Sequence, residues 1–143
     1  MSSVLSLIQE LAVFEKEPNA VIITLAELQQ DFKNNLFECL VAENDAHEIL
    51  GMALFYNRYS TWKGKTIHLE DLIVQQQYRG IGVGKALLDQ VIDKAKKEKL
   101  RRVEWAVLDW NTNAIGFYEK VGAQILKDWY VVQLDEKGIV KYK

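Results

Sequence analysis

Apolar residues Val4, Leu7, Ile8 and Leu11 recur at steps of three and four, the spacing that gathers side chains on one face of a helix. The polar run Glu15-Lys16-Glu17-Pro18-Asn19 ends this first helix. Thr24, followed three residues later by Glu27, reads as a capping box in which each side chain satisfies a backbone donor of the other. Leu25, Leu28 and Phe32 supply the buried stripe of the short second helix. The period then falls from about 3.6 residues to 2. Segments 37–43 and 48–58, joined by Asn44-Asp45-Ala46-His47, are predicted to form a hairpin, and a third strand runs over 65–74 after the turn at Trp62-Lys63-Gly64. A helix with the stripe Leu87, Leu88, Val91, Ile92 and Ala95 comes next, then a strand over 102–108. Strand, helix and strand in this order predict a right-handed parallel crossover. Asn111 or Thr112 is placed to cap a last helix through Lys120, Gly122 to end it, and two short strands are predicted over 123–127 and 129–134. The expected order is α-α-β-β-β-α-β-α-β-β, an α/β fold with helices packed on a mixed sheet.

Composition narrows the class. A chain of 143 residues is expected to form one domain over 1–143, and 49% hydrophobic with 27% charged residues excludes a disordered chain. The single cysteine, Cys39, cannot close an intrachain disulfide, so a cytoplasmic location is expected and a buried structural thiol is its plainest role. No apolar run approaches the length of a membrane span, and no membrane partner is expected. The net charge of −2 argues against a nucleic-acid partner. That total hides a split. Residues 1–71 hold 11 acids against 5 bases, and residues 72–143 hold 13 bases against 9 acids, so an anionic ligand suits the second half and a cationic one the first.

The most informative segment is Gln77-Tyr78-Arg79-Gly80-Ile81-Gly82-Val83-Gly84-Lys85, between a strand and a helix. Alternate glycines let the backbone approach a ligand closely, and the helix N-terminus offers free N–H groups to a pyrophosphate. It is not a Walker loop, because Arg79 and Ala86 stand where a glycine and a hydroxyl are needed. Nor is it a dinucleotide fingerprint, since the glycine spacing is one residue too short.

The pattern Gln77-x-x-Gly80-x-Gly82 resembles the acetyl-coenzyme A loop of the GNAT family of N-acetyltransferases. Asn111-x-x-Ala114-Ile115-x-Phe117-Tyr118-x-x-x-Gly122-Ala123 resembles the family's later motif. Around Glu10-Leu11-Ala12-x-Phe14-Glu15, Trp62-x-Gly64-Lys65 and Leu69-Glu70-Asp71 the chain is most similar to the diamine (spermidine/spermine) and thialysine acetyltransferases. The resemblance covers nearly the whole chain and implies the GNAT fold, here with the usual first strand missing. It implies acetyl-CoA as cosubstrate without a metal, a small-molecule amine as acceptor, and a homodimer. Leu72, Ile73 and Val74 would offer backbone groups to the pantetheine arm, Arg79, Gly80, Gly82, Val83 and Gly84 would hold the pyrophosphate, and Asn111 the pantetheine. Phe14, Glu15, Trp62, Glu70 and Asp71 would line the amine pocket. Phe14 stands where the subgroup usually has tyrosine, and the stretch from Gly122 to Trp129 is shorter than in the polyamine enzymes.

The residue chemistry fits direct transfer from thioester to amine. Glu70 is placed to take the ammonium proton, with Glu15 holding a distal cation, and the N–H of Ile73 or Val74 is a donor for the developing oxyanion. Tyr118, a cofactor-side as well as catalytic candidate, would protonate the departing thiolate. Without their motif, Phe117 and Tyr118 also fit ordinary helix core, and Glu70 and Asp71 fit solvated strand-end acids. His68 has no second histidine or cysteine at ligand spacing, so no metal site is expected. Two rival readings are acetylation of a protein or other small-molecule amine, and a coenzyme A binding module without catalysis.

Overall fold

A computed structural model describes residues 1–143, and its backbone contacts divide the chain into two compact units, 1–106 and 107–143. The first unit opens with α1 (Ser2–Phe14) and α2 (Leu25–Lys33). The predicted capping box at α2 forms in full: the Glu27 amide donates to Thr24 Oγ1 at 3.2 Å, and the Thr24 amide donates to Glu27 Oε2 at 2.8 Å. Strands β1 (Glu38–Glu43), β2 (Ile49–Ser60) and β3 (Gly64–Val74) then make an antiparallel meander. A 3₁₀ turn (Gln76–Tyr78) leads into α3 (Val83–Lys97), and β4 (Val103–Glu104) returns beside β3 in parallel. The sheet order is β1-β2-β3-β4.

The two faces of this sheet follow from the period of 2. On one face Met52, Leu54 and Ile73 join Val4 and Leu7 of α1 and Leu28 of α2 in a buried cluster, with Cys39 packed against it. Phe55, Ile67 and Leu69 point the other way, and α3, which carries Leu87, Leu88, Val91 and Ala95, lies against β2 and β3. Burial, with smaller effects from neighbouring charges, pushes the Cys39 thiol up to about 11, so it stays protonated and structural.

The meander carries one irregularity. Ser60 pairs with Gly64, and the register runs evenly back through Tyr56 with His68 to Phe55 with Leu69; the next partners are Leu54 and Asp71. Glu70 is the extra residue of a β-bulge, which bends the strand and re-aims side chains.

The expected strand over 102–108 shrinks to Val103 and Glu104. Its ladder with β3 covers only Ile67 with Val103 and His68 with Glu104, and it stops just short of the bulge. A strand exists only where a neighbour's edge runs alongside, and the bend at Glu70 turns that edge away.

The second unit contains α4 (Thr112–Lys120) and α5 (Glu136–Lys141). Asn111 caps α4, its Oδ1 accepting from the Ala114 amide at 3.2 Å, and Gly122 follows its end with φ +87°. The two strands expected over 123–127 and 129–134 do not form, and α5, capped by Asp135, stands near the end instead. A single residue, Asp128, separates the two apolar runs, whereas the tightest common hairpin needs two. With no strand beside them, the β-forming side chains stay in water: Tyr130 is 90% and Val132 91% exposed.

Candidate functional site

The bulge gathers acidic groups on the face of the sheet that α1 covers. Asp71 lies across from Leu54 at the rim of the core, and burial, aided by the charges of Glu70 and Glu15, pushes its carboxyl up to about 6. Glu15 follows the last turn of α1, where burial raises its carboxyl as well. Asp71 is desolvated and feels the charges of both Glu70 and Glu15, and a bound cation relieves both penalties.

Glu70 is oriented by its neighbours. The Tyr56 hydroxyl donates to Glu70 Oε2 at 2.9 Å, and His68 Nε2 lies 3.5 Å from the same oxygen. The Tyr56 and His68 rings sit 5.3 Å apart, as expected of residues directly opposite in the register. Burial, then the bond to Glu70, raises the Tyr56 phenol, so it remains a donor. His68 Nδ1 is buried without a hydrogen-bond partner. A buried lone pair costs less than a buried N–H without an acceptor, which favours the proton on Nε2, facing Glu70. Oε2 of Glu70 is thereby held by the protein.

Farther along the same face, Arg58 Nη1 meets Glu104 Oε1 at 2.7 Å, and Arg102 Nη1 meets Glu104 Oε2 at 3.1 Å. Trp62 sits elsewhere, 80% exposed at the β2–β3 turn. Six residues of strand separate Glu70 from Gly64 beside that turn, or ~20 Å. The structure therefore brings Glu15, Glu70 and Asp71 together and leaves Trp62 at the hairpin tip.

The second candidate region is the loop between β3 and α3. Gly80 and Gly82 have φ of +82° and +95°, and Gly82 is the N-cap of α3 with no side chain to occupy the first-turn N–H groups. A Cβ built on either glycine meets nothing within 4 Å, so conformation rather than space requires glycine there. Gly84 has ordinary φ and a Cβ would meet Val74 Cγ2 at 3.5 Å. Beyond His68, the edge of β3 that carries Leu72, Ile73 and Val74 is outside the β4 ladder. Exposed donors at a helix start beside an open strand edge are what a pyrophosphate with an extended, amide-containing arm requires.

Arg79 folds back over the loop rather than away from it. Its Nε donates to the Val74 carbonyl at 2.9 Å, and its guanidinium lies 5.3 Å from the centre of the Phe14 ring. Phe14 thereby touches the glycine loop while Glu15, the next residue, belongs to the acid group. The loop has a second tie, the Tyr78 hydroxyl donating to Glu48 Oε2 at 3.1 Å. In the second unit Tyr118 is buried, with its ring 5.3 Å from that of Phe117, and Asn111 uses its amide oxygen for the helix cap.

Tyr56 and Arg58 carry no motif, and sequence reasoning missed them as partners of the acids, whereas His68, two positions from Glu70, is placed on its face by spacing alone. The signal that finds them is register: pairing Ser60 with Gly64 across the turn puts Tyr56 opposite His68 and Arg58 opposite Thr66.

Comparison with known proteins puts these observations in context. A family model described as "Acetyltransferase (GNAT) family" matches residues 5–123. A thialysine N-epsilon-acetyltransferase of Caenorhabditis elegans is 38% identical over 141 residues, spanning 96% of this chain and 88% of that protein. An L-ornithine N5-acetyltransferase of Arabidopsis thaliana is 42% identical over 87 residues, which is 60% of this chain and 38% of that one. Among solved structures, an aminoglycoside acetyltransferase from an uncultured soil metagenomic sample, in complex with trehalose, superposes with a TM-score of 0.74 at 19% identity, covering 92% of this chain and 90% of that chain. That last likeness is one of fold.

Proposed function

The chain belongs to the acetyltransferase (GNAT) family and is an acyl-transferring enzyme, and we propose that it moves the acetyl group of acetyl-CoA to a primary amine of a small molecule, a diamine or a lysine-like amino acid. Acetyltransferases of this family use acetyl-CoA as cosubstrate. The observation that carries the acceptor class is the convergence of Glu15, Glu70 and Asp71 at the β3 bulge, an anionic site for an ammonium group. Relatives that act on thialysine and ornithine support the same class.

In this reading Gly80, Gly82, Val83 and Gly84, with Arg79, hold the pyrophosphate. The β3 edge at Leu72, Ile73 and Val74, with Asn111, holds the pantetheine arm. An alkylammonium with a pKa of about 10.4 must lose its proton at a cost of about 4 kcal/mol near neutral pH. Glu70, fixed through Oε2 by Tyr56 and His68, takes that proton. Glu15 and Asp71 hold the acceptor's cationic charge in place, Phe14 adjoins them as the neighbour of Glu15, and Trp62, at the hairpin tip, stands apart from this group. The amide of Ile73 or Val74 stabilises the oxyanion. Tyr118 gives the departing thiolate a proton from its phenol hydroxyl. No covalent intermediate on the protein is needed.

The reading treats 1–143 as one catalytic domain, supported by a family match that runs across the boundary between the two units. It includes a homodimer, supported by the exposed apolar run Trp129 to Val132, and the molecular mass in solution decides that point. A cytoplasmic location rests on the free, half-buried Cys39; no helix is long and apolar enough to cross a membrane.

The test is thiol release from acetyl-CoA with a panel of small amines. Release with at least one amine is expected, falling about 100-fold in Glu70→Gln and tenfold or more in Tyr118→Phe, with acetyl-CoA binding retained in the former. Tight acetyl-CoA binding without release for any amine favours a binding module, and no binding at all removes the reading of the glycine loop.

A further inference from the structure

We propose that Arg79 selects the acyl donor by exclusion as well as by attraction. Its side chain occupies the strand edge on which the thioester arm has to lie until a pyrophosphate draws it away, so a thioester without the pyrophosphate is refused. This rests on the reading of the glycine loop and the β3 edge as the acetyl-CoA site, and it gives Arg79 a second role there.

The direction of one peptide unit carries the argument. The Gln75 amide donates to the Leu50 carbonyl at 2.9 Å, so it points at β2. The Val74 carbonyl belongs to the same trans peptide unit, in which C=O and N–H point opposite ways. It therefore points away from β2, toward the edge of β3 that the β4 ladder leaves uncovered. An arm lying along that edge carries amide N–H groups that need such an acceptor. Arg79 Nε already donates to this carbonyl at 2.9 Å, standing where the arm would place its own donor. The same guanidinium lies 5.3 Å from the centre of the ring of Phe14, the last residue of α1. Two contacts, one on β3 and one on α1, thus hold the side chain across the entrance to the edge.

Neither contact involves a carboxylate. A neutral carbonyl and the face of an exposed aromatic ring hold a guanidinium less strongly than a charged phosphate does, because the phosphate bond is charge-assisted and often bidentate. A pyrophosphate on the glycine loop therefore draws Arg79 off Val74 and Phe14 and frees the edge for the arm that follows it. A pantetheine thioester carries the same arm but no charge to offer the guanidinium. It has to wait for the fraction of molecules in which Arg79 has swung away, and its apparent affinity falls by that fraction. Attraction for the right donor and obstruction of the wrong one then come from a single side chain.

The experiment titrates the full chain, Arg79→Ala and Phe14→Leu with S-acetylpantetheine, followed by NMR shifts, and with acetyl-CoA, followed by calorimetry. Arg79→Ala should bind S-acetylpantetheine about fivefold more tightly than the parent and acetyl-CoA roughly threefold or more weakly, two changes of opposite sign in one variant. An arginine that only held the pyrophosphate would leave S-acetylpantetheine unaffected. Phe14→Leu, which removes the ring but keeps Arg79 for the pyrophosphate, should bind both ligands more tightly, by about twofold. A gain in affinity is an outcome that loss of folding cannot imitate. S-acetylpantetheine binding that is equal in parent and Arg79→Ala, or detectable in neither, overturns the exclusion while acetyl-CoA binding to the parent leaves the glycine-loop reading intact. If Arg79→Ala fails to fold, unchanged or weaker binding of S-acetylpantetheine in Phe14→Leu overturns it. A parent chain that does not bind acetyl-CoA overturns the loop reading and this proposal together.

Discussion

The acid face of the sheet and the glycine loop do opposite things with opposite means. At the acid face the chemistry lies in side chains, and the backbone contributes one bulge that crowds Glu70 and Asp71 together beside Glu15. At the loop the backbone itself offers the donors, and side-chain charge is largely spent elsewhere. Lys85 binds Asp89 at 2.6 Å, Lys94 binds Glu38 at 3.1 Å and Glu98 at 2.8 Å, and Lys96 binds Asp93 at 3.1 Å. The basic excess of residues 72–143 is therefore a poor guide to where an anion sits, because many of those charges are already answered locally. The acidic excess of the first half is a better guide, since three of its carboxylates share one partly buried place. A cluster held in mutual repulsion has a use for a cation, whereas a paired lysine has little attraction left for an anion.

If the loop works through backbone conformation, changing that conformation should affect it alone. Valine at position 82 would have to adopt φ near +95°, a region costly for a β-branched residue, although nothing within 4 Å obstructs its Cβ. Gly82→Val should weaken acetyl-CoA binding by about tenfold or more while thermal stability falls by only about 1–3 kcal/mol. Gly84→Ala, at ordinary φ, should bind nearly as the parent does. Calorimetric titration with acetyl-CoA checks both, and equal affinity in Gly82→Val would mean that the loop does not depend on its left-handed glycine.

The acid face should show itself as a pH effect of intermediate size. Asp71 has an ordinary value of 3.8 and is raised to about 6 in the fold, mainly by burial. Between those values the folded state binds more protons than the unfolded one, so stability falls as pH rises. A raised acid of this kind contributes most below its unfolded value, and the contribution is lost by the time pH passes its folded value. The loss over pH 4 to 7 is about 3 kcal/mol at most. Asp71→Asn should remove that slope, and melting curves across the interval measure it. A parent chain whose stability is flat there, relative to Asp71→Asn, would show that the acid is not strained. Because the burial penalty falls on the ionised form, the same region should bind an amine more tightly once pH exceeds about 6.

Much of this was legible before the fold was seen, for identifiable reasons. The capping box at Thr24 and Glu27, the stripe on α3 and the meander depend on local periodicity and local hydrogen bonds, which sequence records directly. The strands expected over 123–127 and 129–134 rested on β-forming residues alone, and propensity cannot supply a neighbour to pair with. Glu70 and Asp71 were recognisable through the resemblance, yet their crowding depends on one extra residue in the register. Even counting from Gly64 would have paired Leu54 with Glu70; the bulge pairs it with Asp71 instead. Arg58 and Glu104 meet across elements 46 residues apart in the chain, and no local pattern marks that pairing.

Each region is braced by a tyrosine on a glutamate, and these two braces give the finest comparison. Tyr56 donates to Glu70 at 2.9 Å, and the glutamate is itself a proposed reacting group. Tyr78 donates to Glu48 at 3.1 Å, and that glutamate is only a support, reached also by Asn44 Nδ2 at 2.7 Å. Those two bonds hold the Glu48 carboxyl below its ordinary range, the Asn44 bond being the larger influence. Removing a hydroxyl that binds a charged acceptor costs about 1.5–3 kcal/mol where the acceptor has no substitute, and much less where a second donor or water takes its place. Tyr56→Phe should therefore lower kcat by about tenfold, since a freed Glu70 Oε2 lets the carboxylate turn away from the amine. Tyr78→Phe should change acetyl-CoA affinity by about twofold at most, because Asn44 keeps Glu48 in place and the exposed phenol site is open to water. Steady-state rates with a small-amine acceptor measure the first effect, and acetyl-CoA titration measures the second. If Tyr78→Phe proves the more damaging, the loop depends on its side-chain tie to the β1–β2 turn more than on its glycines, and the division of labour between the two regions is wrong.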